Sequence, residues 1–253
     1  MKKTIIITGA TSGFGKAIAE KFAQNSHRLI ITGRRVERLN EISDTLTKSY
    51  DIDVLPLSFD LRDRAASEKS INSLKADWNQ IDVLVNNAGL ASGLEHFQDG
   101  SFEDWDKMID TNVKGLLNIS KPVIDHMVKR NAGHIINIGS TAGKEVYERG
   151  SIYCATKHAV DAISKGMRID LLKHNIKVTQ ISPGAAETEF SVVRFHGDKK
   201  RAKEAYRGYK PMTAEDIAEL VYYSTTLPSH LCINDLVVTS LSQANSFYIN
   251  RDN

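Results

Sequence analysis

The chain is poor in cysteine, with two in 253 residues, Cys154 and Cys232. Two such distant thiols have no metal-ligand spacing and make no disulfide framework, so no metal site is expected. The usage suits a reducing compartment. Long apolar runs are also missing, and nothing approaches the roughly 20 residues of a membrane span. The start, Met-Lys-Lys-Thr-Ile-Ile-Ile-Thr-Gly, places two lysines before an apolar stretch, but that stretch meets Gly9 too soon for a signal peptide. A cytoplasmic protein is the expectation. Net charge is nearly absent, at +2, and there is no long basic run, which argues against a nucleic-acid partner. Repeats, low-complexity segments and linkers are lacking too. What remains is an ordinary globular composition, 41% hydrophobic and 25% charged, long enough to bury a sizeable core.

The chain alternates β-rich runs with helical periods. The expected strands are 4–8, 28–32, 54–59, 81–85, 134–138, 176–181 and 235–239. The expected helices are 16–24, 37–48, 65–76, 102–128 with a break or kink near Asn112 and at Pro122, 151–173, and one starting after the N-cap Thr213. This alternation predicts an α/β fold, a single Rossmann-type doubly wound parallel sheet of seven strands with helices on both faces. Residues 1–253 then form one domain. The loosely patterned 185–212, after a strand's carboxyl end, reads as a substrate loop inserted in it.

Between the first strand and first helix lies Gly9-Ala-Thr-Ser-Gly13-Phe-Gly15. Glycines joining a strand to a helix let a phosphate approach free N–H groups at the helix start. The spacing is Gly-x-x-x-Gly-x-Gly, and a plain glycine turn uses the same residues. The second strand ends in Gly33-Arg34-Arg35 with no acid. A carboxylate there would take a ribose 2′-hydroxyl, whereas guanidinium groups suit a 2′-phosphate, so the pattern points to NADP(H) rather than NAD(H). An exposed basic turn is the plainer alternative. Asp60 and Leu61 end the third strand, where adenine lies in this architecture. Asn86-Asn87-Ala88-Gly89 follow the fourth.

The stretch from Gly139 to Lys157 carries the chemistry. Tyr153 and Lys157 are four apart, on one face of a helix. A phenol is a weak acid, and a nearby ammonium favours its phenolate. With the hydroxyl of Ser140 they make a proton donor or acceptor with a polarising partner. A bare Tyr-x-x-x-Lys also fits a half-buried tyrosine beside an exposed lysine.

Taken together, Thr8 to Gly15, Asn86 to Gly89, Asn112, Ser140, Tyr153-Cys-Ala-Thr-Lys157 and Pro183-Gly184 resemble the short-chain dehydrogenase/reductase family over nearly the whole chain. Residues 32–39, 134–143 and 188–197 make it more similar to that family's bacterial NADP-dependent 3-hydroxy acid (serine/allo-threonine) dehydrogenases, with sulfoacetaldehyde reductases close by. The resemblance implies the following roles. Gly9, Thr11, Ser12, Gly13, Phe14, Gly15, Arg34, Arg35, Asp60, Leu61, Asn87, Ala88, Gly89, Pro183, Gly184 and Thr188 hold NADP(H), together with Tyr153 and Lys157. Tyr153 is the acid/base, Lys157 lowers its pKa, Ser140 polarises the substrate oxygen and Asn112 holds a water in a proton relay. The family also implies a homotetramer.

Glu148-Arg149-Gly150 is charged where similar enzymes often carry small residues. An acid substrate needs a cation, and Arg149 and Arg194 are the candidates, while Arg251 in the tail could reach a neighbouring subunit. The expected reaction is hydride transfer between NADP(H) and a small anionic alcohol or carbonyl, such as serine or allo-threonine. A sulfoacetaldehyde reductase is the alternative within the same chemistry, and a non-catalytic NADP(H)-sensing protein is the alternative outside it.

Overall fold

A computed structural model describes residues 2–75 and 77–252. Seven strands are built from the β-branched runs: β1 (Thr4–Thr8), β2 (Arg28–Gly33), β3 (Val54–Ser58), β4 (Val83–Asn86), β5 (Gly133–Ile138), β6 (Ile176–Pro183) and β7 (Asp235–Val238). They form one sheet in the order β3-β2-β1-β4-β5-β6-β7, every neighbouring pair parallel. Strand order reverses beside β1, where β2 and β4 flank it, and this opens a crevice at the strands' carboxyl ends. Pro56 lies in β3, an edge strand, where its missing N–H is tolerated.

The period of two along β1 divides the core. Ile5 and Ile7 pack with the apolar faces of α1 (Gly13–Gln24), α2 (Val36–Tyr50) and α9 (Ala214–Thr226). Ile6 faces the opposite layer with Ile119, Val123 and Met127 of α5 (Leu116–Arg130) and Ile71 of α3 (Arg64–Asn72). Burial on both faces explains why the central strands read as continuous apolar runs. The remaining helices are α4 (Phe102–Ile109), α6 (Ser151–Asp170), α7 (Glu189–Arg194) and α8 (Lys199–Glu204).

The differences from the sequence reading have local causes. α3 stops at Asn72 rather than 76, followed by the polar Ser73 as C-cap; Ala76 lies outside the described residues. β4 starts at Val83 rather than 81 and extends to Asn86, whose backbone pairs with Asn137. The expected break at Asn112 is a π-helical turn, Asp110–Gly115. Pro122 does not end α5, because Ile119, Val123 and Met127 on its buried face hold the helix on the sheet. The inserted loop forms the short helices α7 and α8.

Phe22 on α1 is fully buried, edge-on to His27 at 5.7 Å and to Tyr222 at 5.6 Å between centroids. Phe22→Ala leaves a cavity between α1 and α9 and is expected to cost about 3–5 kcal/mol, measured as a lowered urea midpoint with an unchanged slope.

Candidate active site

A cleft of about 640 Å³ opens at the carboxyl ends of the strands. Its floor is the junction of β1 and β4. The Thr8 hydroxyl accepts from the backbone N–H groups of Asn87 and Ala88, both at 3.0 Å, and Asn87 Nδ2 donates to the Thr8 carbonyl at 2.8 Å and the Gly9 carbonyl at 3.3 Å. Gly9 and Gly13 have φ of +67° and +50°, a region that favours glycine. A Cβ on Gly15 would collide with the Gly9 carbonyl oxygen and lie 2.5 Å from Asn87 Nδ2. Ser12 precedes α1 in an extended conformation without capping it, and the first turn carries no acid. Its N–H groups therefore stay available to an anion.

Arg35 Nη2 donates to Thr11 Oγ1 at 2.8 Å and Ser12 Oγ at 3.2 Å, holding one guanidinium against the glycine turn. Arg34 lies 3.8 Å from Asp60. Hydrogen bonds from Arg62 hold the Asp60 carboxyl below the usual carboxylate range. Leu61, Ala88, Gly89, Phe14, Pro183, Gly184 and Thr188 also line the cleft. Asn86 does not: its Nδ2 donates to Ser120 Oγ at 2.8 Å and Asn137 Oδ1 at 2.9 Å inside the protein.

The other end of the cleft is set by β5 and α6. Ser140, just past β5, caps a short turn by accepting from Ala142 N–H at 3.1 Å. That turn rests on α6 through Gly143, where a Cβ would lie 2.7 Å from the Lys157 carbonyl oxygen. Lys157, only 6% exposed, donates from Nζ to the Ile138 carbonyl at 2.9 Å and stands 5.9 Å from the Tyr153 ring centroid. Burial pulls its ammonium down to about 8. Burial likewise drives the Tyr153 phenol far above its ordinary value, against the opposing pulls of the Ser140 hydroxyl and the Arg194 guanidinium. Near neutral pH, Tyr153 is a protonated phenol beside a charged lysine, a proton donor in waiting.

Asn112, in the π turn, is 2% exposed. Its Oδ1 accepts from Leu90 N–H at 2.8 Å, and its Nδ2 donates to the Leu90 carbonyl at 2.8 Å and to Thr156 Oγ1 at 3.0 Å. Both amide hydrogens are committed to the protein, while Oδ1 keeps one lone pair beyond its bond from Leu90 N–H. The side chain clamps the loop after β4 to α6, beside Lys157.

The two candidate cations part company. Arg194, at the end of α7, enters the cleft with its guanidinium 5.5 Å from the Tyr147 ring and 5.7 Å from the Tyr153 ring. Its Nε donates to the Gly93 carbonyl at 3.3 Å, and its buried Nη2 has no hydrogen-bond partner among the described residues. Arg149 is exposed, outside the cleft, with φ +64° and Nε 3.3 Å from His96 Nε2. Arg251 donates to the carbonyls of Ala205 and Arg207.

Sequence reasoning missed Tyr147, Tyr206 and Gln243, all lining the cleft. Tyr147 packs on Gly150, where a Cβ would collide with the ring. That glycine was a signal overlooked beside the charged Glu148-Arg149. Tyr206 Oη donates to the Ala186 carbonyl at 2.8 Å and lies 2.6 Å from Ser191 Oγ. Gln243 Oε1 accepts from Ala185 N–H at 2.8 Å, against a Gly184 with no room for a side chain. Nothing local in the tail sequence marks Gln243.

The family model for short chain dehydrogenases matches residues 3–198. The NADP-dependent 3-hydroxy acid dehydrogenase YdfG of Salmonella typhi is 48% identical over 241 residues, covering 95% of this chain and 96% of that protein. Sulfoacetaldehyde reductase 2 of Chromohalobacter salexigens is 41% identical over 254 residues, the full length of both. Among solved structures, the closed form of serine dehydrogenase complexed with NADP+ superposes with a TM-score of 0.93 at 45% identity, over 98% of this chain and 100% of that one.

The depressed Lys157 fixes a pH dependence of stability. Below about pH 8 both folded and unfolded states carry the proton, and the folded state bears the whole burial penalty. Between about 8 and the free value of 10.5 the folded state releases its proton first, so stability rises with pH, by up to about 3 kcal/mol. Lys157→Met lacks this term. Urea unfolding at pH 7.5 and 10 is expected to show the wild type gaining on the variant as pH rises; Tyr153, present in both, cancels.

Proposed function

Since the chain belongs to the short chain dehydrogenase family, we propose that it is an NADP-dependent oxidoreductase acting on a small anionic alcohol or carbonyl, most favourably a 3-hydroxy acid such as serine or allo-threonine. The observation that carries the substrate class is Arg194, whose guanidinium lines the same cleft as Tyr153 and stands 5.7 Å from its ring. A guanidinium there neutralises and orients a carboxylate a few bonds from the reacting carbon.

The residues present fit the cofactor. The glycine cradle that a Cβ on Gly15 would fill, the uncapped start of α1 and the pair Arg34 and Arg35 suit a dinucleotide with a 2′-phosphate. Bound NADP(H) supplies or takes up the hydride. The protein's part is to move one proton and to hold the substrate. Tyr153 Oη gives a proton to the carbonyl oxygen in reduction, or takes it from the alcohol in oxidation. Ser140 Oγ hydrogen-bonds that same oxygen, and Lys157, fixed on the Ile138 carbonyl, supplies positive charge under the Tyr153 ring. Asn112 keeps the Leu90 loop and α6 in register. Segment 185–212 acts as a lid, with Phe190 edge-on to Tyr153 at 5.6 Å, which keeps water from the reacting centre.

Reduction of sulfoacetaldehyde is the second reading, supported by the full-length likeness to sulfoacetaldehyde reductase 2; a guanidinium takes a sulfonate as readily as a carboxylate. We also propose a homotetramer. It is supported by exposed apolar side chains on the outer helices, Phe102 at 76% and Ile169 at 76% exposed, which a partner copy would cover. Assembly in the cytoplasm is part of this proposal.

Initial rates with NADP+ and L-serine, L-allo-threonine or 3-hydroxypropionate are to be compared with NADPH and sulfoacetaldehyde, with NAD(H) as control. The hydroxy-acid arm is expected to give the higher kcat/KM; dominance of the sulfonate arm transfers the reading to the second substrate. Tyr153→Phe is expected to bind NADP+ yet lose turnover by at least about 100-fold. Arg194→Ala should lower kcat/KM for acid substrates by about 10–100-fold and spare uncharged alcohols, while Arg149→Ala leaves both near wild type. Sedimentation at micromolar concentration is expected to give a tetramer, and a monomer alone would refute the assembly.

A further inference from the structure

The lid that carries Arg194 is held on two sides. On the cofactor side, the Glu189 carboxylate accepts from Arg38 Nη1 at 3.1 Å and 3.3 Å. On the substrate side the hold comes from a carboxylate of another element, Asp104 in the first turn of α4. Its Oδ1 accepts from the Ser92 hydroxyl at 2.5 Å, and its Oδ2 lies 3.3 Å from His196 Nε2. Ser92 and His196 flank a second pair of bonds. Gly93 N–H donates to the Arg194 carbonyl at 2.9 Å, and Arg194 Nε donates back to the Gly93 carbonyl at 3.3 Å. Gly93 has φ +76°, and a Cβ on it would collide with the Glu95 carboxylate and lie 3.2 Å from Asp104 Oδ2, so this turn favours glycine. Asp104 thus closes a clasp around the point where Arg194 meets the loop after β4.

We propose that Asp104 is a positioning residue for acid substrates, acting through Arg194; this rests on the reading of Arg194 given above. The Asp104 side chain is only 15% exposed, so its charge has to be met inside the protein. Ser92 and His196 meet it, and no ion pair joins it to Arg194 among the described residues. Arg194 therefore keeps its charge toward the cleft it lines, while its carbonyl and its Nε are fixed on Gly93. A charge orients a substrate only as well as it is itself held. Asp104 ties down the chain on each side of that hold, one residue before Gly93 and two residues after Arg194. Loosening the clasp leaves the guanidinium charged but spreads its position. That weakens the grip on an acid and leaves proton transfer by Tyr153 untouched.

The test is a double-mutant cycle of Asp104→Asn and Arg194→Ala, read with NADP+ on 3-hydroxypropionate and on its methyl ester, which lacks the charge. Asp104→Asn keeps the shape of the clasp and removes its charge. It is expected to raise KM for 3-hydroxypropionate about three- to tenfold with kcat within about twofold, and to leave kcat/KM for the ester and the affinity for NADP+ unchanged. In the Arg194→Ala background the same substitution is expected to change kcat/KM for the acid by less than about twofold, because the group it positions is gone. His196→Lys keeps a donor facing Asp104 and is expected to stay near wild type on both substrates, whereas His196→Ala raises KM for the acid. An unchanged KM in Asp104→Asn, an equal loss on acid and ester, a fall in kcat in place of a rise in KM, or a full effect in the absence of Arg194 overturns the proposal. Loss of NADP+ affinity marks a general structural role and overturns it too. If Arg194→Ala itself treats acid and ester alike, the reading of Arg194 falls; if it separates them and the cycle shows no coupling, the clasp alone is wrong.

Discussion

The structure depends on the place where β1 and β4 end together. One hydroxyl, Thr8, holds the loop after β4 with two backbone N–H bonds, and one amide, Asn87, answers with bonds to Thr8 and Gly9. The glycine turn cannot move without the β4 loop, nor the β4 loop without the glycine turn. The same loop passes Gly89, where a Cβ would lie 3.2 Å from Asn112 Oδ1 and 3.7 Å from Lys157 Nζ. Asn112 then binds Leu90 and Thr156 of α6. A continuous line of close contacts thus runs from the glycine turn to Lys157, and the two halves of the cleft keep a fixed separation. Reactions that bring two molecules together need that separation to hold within fractions of an ångström.

Burial does the second part of the work. Tyr153 and Lys157 sit where water is scarce, and this shifts both away from their charged forms. In solution a phenol and an amine differ little in acidity. Here the environment drives their pKa values apart and leaves a neutral donor beside a cation. The surrounding polar atoms are few and specific. Ser140 and Arg194 act on Tyr153 from the open side, and the Ile138 carbonyl holds Lys157 from below. Arg194 therefore has two effects in one place, on the phenol and on any anion brought near it.

The fold and the cofactor half of the cleft were legible because their signals are local. A strand, a glycine turn and a helix follow each other in sequence, and Arg34 and Arg35 come directly after β2. The triad of Ser140, Tyr153 and Lys157 was legible because a helical period and a strand end place it. The substrate end was not, because it is assembled from distant pieces: Tyr147 from the approach to α6, Tyr206 from the insertion and Gln243 from the tail. Arg149 lies outside this cleft for a related reason. Nearness in sequence to Tyr153 suggested nearness in the cleft, but Arg149, with positive φ, is exposed and meets His96 instead. The reach of Glu189 to Arg38, 151 residues away, has no pattern along the chain at all.

The π turn at 110–115 has a further meaning. A π turn is an α-helix carrying one surplus residue, so the helix beyond it is rotated by roughly 100° against the helix before it. Met108 of α4 can thus face the cluster around Tyr153 while Ile119, Val123 and Met127 of α5 face the sheet. The surplus residue is what sets Asn112 where it clamps Leu90 to Thr156. Deleting any one codon in that turn would return a regular helix, and with it a protein whose apolar faces no longer agree on which way is in.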